Sequence, residues 1–250
     1  ADLHSIRDLS ELMIRLEDRG DSCVIRGTLT EAGEVAVATR GEVRRSKRDL
    51  DGRAAHFIDF AQDWICVDCD EFEMAPKESP LDAIERYISG LPPEFHQASY
   101  HYQFSSSFMV KDQSTLKVHL WFWFEAPITS AKLKAYFKSE IASGRLNEGH
   151  VDLAPLNEVQ QLFISRPCFI DRHDPLINRS GLVTKAAMSV GLPERAYEDI
   201  KVIKRKRGGL RSPSQAPISL PPNRAEIYYA DKGARTFFKK PLNRYLNAST

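Results

Sequence analysis

The sequence predicts an α+β protein with a mixed or antiparallel sheet core and flanking helices. Three observations carry that expectation. Segments of the two periodicities follow one another as strand, helix, strands, helix, strand, and not as a regular repeat of strand and helix. The apolar run Leu116-Lys-Val-His-Leu-Trp-Phe-Trp-Phe124 reads as a strand with two distinct faces. At 250 residues, with 42% hydrophobic and 28% charged content, the chain has the composition of an ordinary globular protein large enough for a substantial core.

Each element has a local reason. Residues 6–16 place apolar side chains at helical spacing until Asp18-Arg-Gly-Asp-Ser22 breaks the pattern, and residues 23–29 then read as a strand. Residues 39–50 are basic and polar, a loop or solvated extension. Residues 55–70 read as extended structure ending in two aspartates. Ser79 is placed to cap a helix with Pro80 at its first position and Gly90 beyond its end. Residues 98–104 and 116–124 suggest adjacent strands. Residues 128–141 are helical, with Thr129 or Ser130 as cap and Gly144 past the end. A short extended piece is expected at 149–153, a helix at 155–163 and a loop at 165–181. From about Gly191 prolines sit among basic residues, which divides the chain into a folded region, 1–190, and a basic, proline-containing linker or accessory tail, 191–250.

The formal net charge of +1 hides a basic run, Lys201-Val-Ile-Lys-Arg-Lys-Arg207, that favours an anionic partner. The sequence lacks any apolar run of ~18 residues, so no membrane span is expected. The charged first residues lack the apolar core of a signal peptide, which makes the cytoplasm the expected compartment. Four scattered cysteines fit a reducing environment. Cys66 and Cys69 form one CxxC, but on a strand residues three apart point to opposite faces, so ordinary packing is expected in place of a zinc or redox site.

The same alternation turns Cys66, Asp68 and Asp70 to one face. Carboxylates at the end of a buried strand are costly unless paired, hydrogen-bonded or bound to a metal. In the second apolar strand, alternation sends Lys117, His119, Trp121 and Trp123 to one face and Val118, Leu120, Phe122 and Phe124 to the other. A lone histidine in such a strand is ordinarily a core residue. Lysine is seldom buried, however, so this face is either partly open or lines a polar cleft. Asp152, between Val151 and Leu153, is either a cap or turn former or a ligand.

In chain order these are an apolar strand ending in Asp-x-Asp, a basic-x-His strand and an apolar-Asp piece. The pattern resembles the archaeo-eukaryotic primase superfamily in its plasmid, phage and mobile-element primase-polymerase branch. That family carries hydrophobic-Asp-x-Asp, Ser-x-His and hydrophobic-Asp motifs in this order. They correspond here to Val67-Asp-Cys-Asp70, Lys117-Val-His119 and Val151-Asp152, with Lys117 where the family has serine. The serine run Ser105-Ser-Ser107, the stretch Val159-Gln-Gln-Leu-Phe-Ile-Ser-Arg-Pro-Cys-Phe169 and Asp174-Pro-Leu-Ile-Asn-Arg179 also resemble mobile-element members. The resemblance covers about 55–180 and implies a primase-like catalytic domain.

What the resemblance implies is template-dependent nucleotidyl transfer, as primer synthesis or extension in replication of a plasmid, phage or mobile element. The partners are a single-stranded DNA template, NTP or dNTP, and in some members a helicase domain or protein. The host is a bacterial, archaeal or phage-infected cell. Two divalent cations, Mg²⁺ or Mn²⁺, would be held by Asp68, Asp70 and Asp152 from adjacent strands, since hard cations favour carboxylate oxygens. His119 would contact the phosphates of the incoming nucleotide, with Lys117 as a helper. Arg166 and Arg172 are phosphate contacts or solvated loop arginines. Glu71 and Glu73 support the site or are simply exposed. Arg44 and Arg45, and Lys204, Arg205, Lys206 and Arg207, lie in basic segments that hold the template or merely solvate the surface. Two other classes compete: a replication-initiator or origin-binding module without catalysis, and a metal-dependent nuclease, which also uses clustered acids.

Overall fold

The computed structural model describes residues 3–110, 112–170 and 173–198. Helix α1 (Ile6–Leu16) opens at Ser5, whose hydroxyl accepts from the Asp8 amide, and buries Ile6, Leu9, Ser10 and Met13 on one stripe. The predicted strand at 23–29 divides into β1 (Cys23–Val24) and β2 (Thr28–Leu29). Between them Arg26 turns inward and is fully buried. Its guanidinium donates to the carbonyls of Trp64 and Ile128 and to the Ser130 hydroxyl, and burial pushes its pKa down to about 10.

Helix α2 (Glu31–Arg40) was not expected from the sequence. It carries no apolar stripe: Val35 and Val37 are exposed, and the buried positions are Gly33 and Ala36. A side chain at Gly33 would place Cβ 2.4 Å from the His56 carbonyl oxygen, so the helix packs by backbone approach and not by an amphipathic face. The loop expected at 39–50 begins only after α2 takes in Thr39 and Arg40, and 41–49 have neither helix nor strand.

Strand β3 (Phe57–Ile58) pairs antiparallel with β2, and β4 (Gln62–Glu73) follows, running three residues past Asp70. Helix α3 (Pro80–Ser89) has Ser79 as its cap and Pro80 at its start. Then come β5 (Tyr100–Phe104) and β6 (Thr115–Ile128). Helix α4 (Ser130–Ala142) is capped by Thr129, and the Asp59 carboxylate accepts from the amides of Ser130 and Ala131 at its positive end. Strand β7 (Leu162–Phe163) pairs with β1, and β8 (Ser180–Val183) joins the main sheet.

That sheet has the antiparallel order β4-β6-β5-β8, so the architecture is a mixed α+β fold with antiparallel sheets. One face packs Ile65, Val67, Cys69, Val118, Leu120, Phe122 and Phe124 against α3 and α4. The other sets Cys66 and Trp121 against Ile6, Leu9 and Met13 of α1. The alternation read from residues 116–124 is therefore realised, with Trp121 fully buried under α1.

Two expectations fail. Residues 149–153 form no strand, and 155–163 form no helix. In the second segment the Glu158 carbonyl accepts from the Gly27 amide, and Leu162 and Phe163 pair with β1, so the backbone groups a helix would use are committed elsewhere. Residues 191–198 pack on the fold: Ala196 is buried, Arg195 reaches Glu140 at 3.1 Å, and Tyr197 donates to the Ala126 carbonyl. Among the described residues no helix is long and apolar enough to cross a membrane.

His101, fully buried on the α1 face with Nδ1 2.9 Å from the Ser10 hydroxyl, supplies a pH test of the core. Burial lowers its pKa from 6.5 to about 4, so the unfolded chain takes up the proton first. Its contribution is whole above about pH 6.5 and is lost as pH falls towards 4, by about 3 kcal/mol in all. Urea midpoints measured from about pH 7.5 to 4.5 should fall more steeply for the wild type than for His101→Gln. Parallel curves would mean that His101 is not the group titrating.

Candidate active site

The pairing of β4 with β6 builds the site. Asp68 lies opposite His119 on the face that also carries Cys66 and Trp121, and His119 Nε2 stands 3.4 Å from Asp68 Oδ1. The row continues across the sheet, because Gln103 pairs with His119 and Ser180 pairs with Gln103. Beyond Cys69 the register slips by one residue before Phe72. Asp70 and Glu71 fall in that bulge, which turns Asp70 out to an exposed position.

Asp152 arrives from a loop and not from a neighbouring strand, which corrects the expected arrangement. Its Oδ1 accepts from the Ala154 amide at 2.8 Å, the turn-forming role the sequence allowed. It nevertheless faces the first two acids across a cavity of about 500 Å³, walled by Asp68, Asp70, Glu71, Glu148, His150 and Asp152, with Phe72, Tyr87 and Asn147 among the other residues.

The electrostatics follow from this crowding. Burial first, then the charges of Asp70 and Asp152, push the Asp68 pKa up to about 7, with Lys117 opposing. Burial lowers the pKa of His119, which keeps its imidazole neutral near pH 7, although Asp70 pulls the other way. Other buried acids in the fold are treated differently. Glu17 meets Arg166 at 2.5 Å, and Glu140 meets Arg145 at 2.7 Å and Arg195 at 3.1 Å. Asp68 has no such arginine among the described residues.

The donor set fits a hard divalent cation, being carboxylate oxygen throughout and too crowded to ionise fully unaided. Among the described residues no three His, Cys, Asp or Glu side chains are drawn together into a ligand group, so the three aspartates share a cavity wall without closing on one point. Cys66 and Cys69 belong to opposite faces and are not poised for metal or redox chemistry. Burial pushes both thiols up, Cys69 to about 12, which holds them protonated.

The remaining candidates separate cleanly. Lys117 lies on the His119 face, close enough to act on Asp68. Arg166 does not line the cavity: its side chain and its amide both engage Glu17 at the end of α1. Glu71 lines the cavity, whereas Glu73 offers its carbonyl to Arg86. Arg44 donates to the Ala54 carbonyl and, with Arg40 and Arg53, lines a separate cavity of about 900 Å³ beside α2. Arg45 is exposed. Arg172 and the run Lys204, Arg205, Lys206 and Arg207 lie outside the described residues. Sequence reasoning missed Glu148, His150, Tyr87 and Gln103. Only His150 carried a signal, as the neighbour of the hydrophobic-Asp pair.

Comparison with family models, curated proteins and solved structures returned no match to this chain.

Relieving the repulsion at Asp68 should stabilise the protein. In EDTA at about pH 8, where the carboxyl is mostly ionised, Asp68→Asn should raise Tm by about 2–4 °C. A lower Tm would show that Asp68 is a structural group satisfied in place.

Proposed function

We propose that this protein carries out DNA-template-dependent nucleotidyl transfer, as primer synthesis or primer extension, and that it is a primase-polymerase serving replication of a plasmid, phage or mobile element. One observation carries the reading: of three motifs far apart in the chain, Asp68-x-Asp70 and His119 lie on the paired strands β4 and β6, with Asp68 directly opposite His119, and Asp152 shares with Asp68 and Asp70 the cavity at the edge of that pair. The primase-like fold belongs to the same proposal. What supports it is a sheet with the Asp-x-Asp and x-His strands paired directly and helices on both faces.

Two divalent cations, Mg²⁺ or Mn²⁺, held by Asp68, Asp70 and Asp152, would neutralise phosphoryl charge and activate a 3′-hydroxyl. The chain's own groups do the rest. Asp68 and Asp70 offer carboxylate oxygens from a rigid strand, one half-buried and one released by the bulge. Neutral His119, seated between Asp68 and Gln103, can donate to a nucleotide phosphate without competing for the carboxylates as a full cation would. Lys117, one row nearer the open end, brings a positive charge for the same phosphates. The cytoplasm of a bacterial, archaeal or phage-infected cell is the proposed setting, and a helicase domain or protein is a proposed partner.

The deciding measurement is synthesis and extension on single-stranded DNA with labelled NTP or dNTP and Mg²⁺ or Mn²⁺, the Asp68→Ala/Asp70→Ala variant alongside. Template-dependent products from the wild type alone are expected, and leaving out the primer separates priming from extension. Equal silence from both proteins with equal DNA binding would establish the binding module instead, and a shortened strand would establish the nuclease.

The exposed Arg45 supplies a test of template contact. Arg45→Gln should weaken single-stranded DNA binding for all sequences alike and reduce the slope of log affinity against log salt by about 0.7. An unchanged slope would leave Arg45 a solvated surface residue.

A further inference from the structure

Loop 143–154 has neither helix nor strand to hold Asp152, yet Asp152 must sit at a defined place on the cavity wall. We propose that Tyr87 and His150 form a latch that positions Asp152 opposite Asp68 and Asp70. Both are positioning residues, and the chemical consequence rests on the nucleotidyl-transfer reading.

The two rings stack with centroids 4.4 Å apart and planes 20° from parallel. The bonds between them are reciprocal. Tyr87 Oη donates to the His150 carbonyl at 2.6 Å, and His150 Nε2 stands 2.8 Å from the Tyr87 carbonyl. A carbonyl only accepts, so Nε2 carries the proton, and the backbone of α3 thereby selects the imidazole tautomer. Phe72, just past the bulge that releases Asp70, packs edge-on to both rings at 5.3 and 6.1 Å. Rings from β4, α3 and the loop thus join at the cavity that the three aspartates line.

Gly90 makes room for the latch. Its φ of −87° is open to any residue, so its backbone does not require glycine. A Cβ there would lie 2.6 Å from His150 Nε2 and 2.7 Å from Cε1, so any side chain would drive the imidazole off its seat. Val151, buried between His150 and Asp152, passes the constraint along the chain. With His150 fixed on α3 and Val151 in the core, Asp152 has little freedom left.

Gly90→Ala therefore displaces the latch without altering either latch residue or any acid, and Tyr87→Phe removes one of its hydrogen bonds while leaving the stack. Both are made in the full 250-residue chain and compared with wild type and Asp152→Asn. Three readouts are taken: amide exchange over residues 147–154, Mn²⁺ half-saturation without nucleotide or DNA, and primer extension. Gly90→Ala should speed exchange in that loop about tenfold and raise the Mn²⁺ half-saturation about tenfold or more, Tyr87→Phe less, with Tm nearly unchanged. Asp152→Asn should raise the half-saturation while leaving the loop protected.

Unchanged loop exchange in Gly90→Ala would overturn the latch. Faster exchange with wild-type Mn²⁺ titration would overturn its positioning role, as would a wild type that does not bind Mn²⁺. A wild type that binds Mn²⁺ through Asp152 and loses this in Gly90→Ala, yet extends no primer, would sink the nucleotidyl-transfer reading and leave the latch standing.

Discussion

The antiparallel pairing of β4 with β6 is the constraint on which the rest of the structure depends. Side chains alternate across a sheet, so a slip of β4 by one residue would carry Asp68 into the face packed by α3 and α4 and away from His119, which β5 holds in place on β6. Two opposed cores prevent that slip. Phe122 meets Phe95 edge-on at 5.1 Å on one side, while Trp121 is sealed under α1 on the other. Arg26 fixes one end of the pair by bonding to Trp64 on β4 and Ile128 on β6. At the other end the bulge at Asp70 and Glu71 interrupts the pairing before it resumes at Phe72 and Glu73.

The candidate site is marked less by having acids than by leaving them uncompensated. Glu17, Glu140 and Asp174 each meet an arginine, and those pairs tie α1 to the 164–166 segment, α4 to Arg195, and the 174–179 turn to itself. Their negative charge is spent on packing. Asp68, by contrast, has neutral His119 beside it and two further carboxylates in range, a standing cost that a fold optimised only for stability would remove. Such a site is suited to a cationic ligand.

Where the sequence misled, the physical reason is the same each time: contacts with distant segments, backbone as well as side chain, took over the role of local pattern. Helix α2 has no apolar stripe because it rests on the His56 backbone through Gly33, and periodicity cannot see that contact. The 155–163 segment has helical spacing, but Leu162 and Phe163 were claimed by β1. Asp152 is held by a loop whose order comes from Tyr87, 65 positions earlier, and not from a strand of its own. Arg166 shared its stretch of sequence with the motif residues but was committed to Glu17.

The sequence by itself determined the class of fold, the helical stripe of α1, the caps of α3 and α4, the two faces of β6, the opposed directions of Cys66 and Cys69, and the order of the acid and histidine motifs. These are properties of covalent geometry and local periodicity, legible wherever a strand alternates or a hydroxyl precedes a helix. Only the tertiary structure decided which motif residues meet. Asp68 and His119 are 51 positions apart in the chain and 3.4 Å apart at Oδ1 and Nε2, a distance set by strand register and by nothing local. The raised pKa of Asp68, the seat for His150 at Gly90 and the diversion of Arg166 likewise arise from segments brought together only when the chain packs.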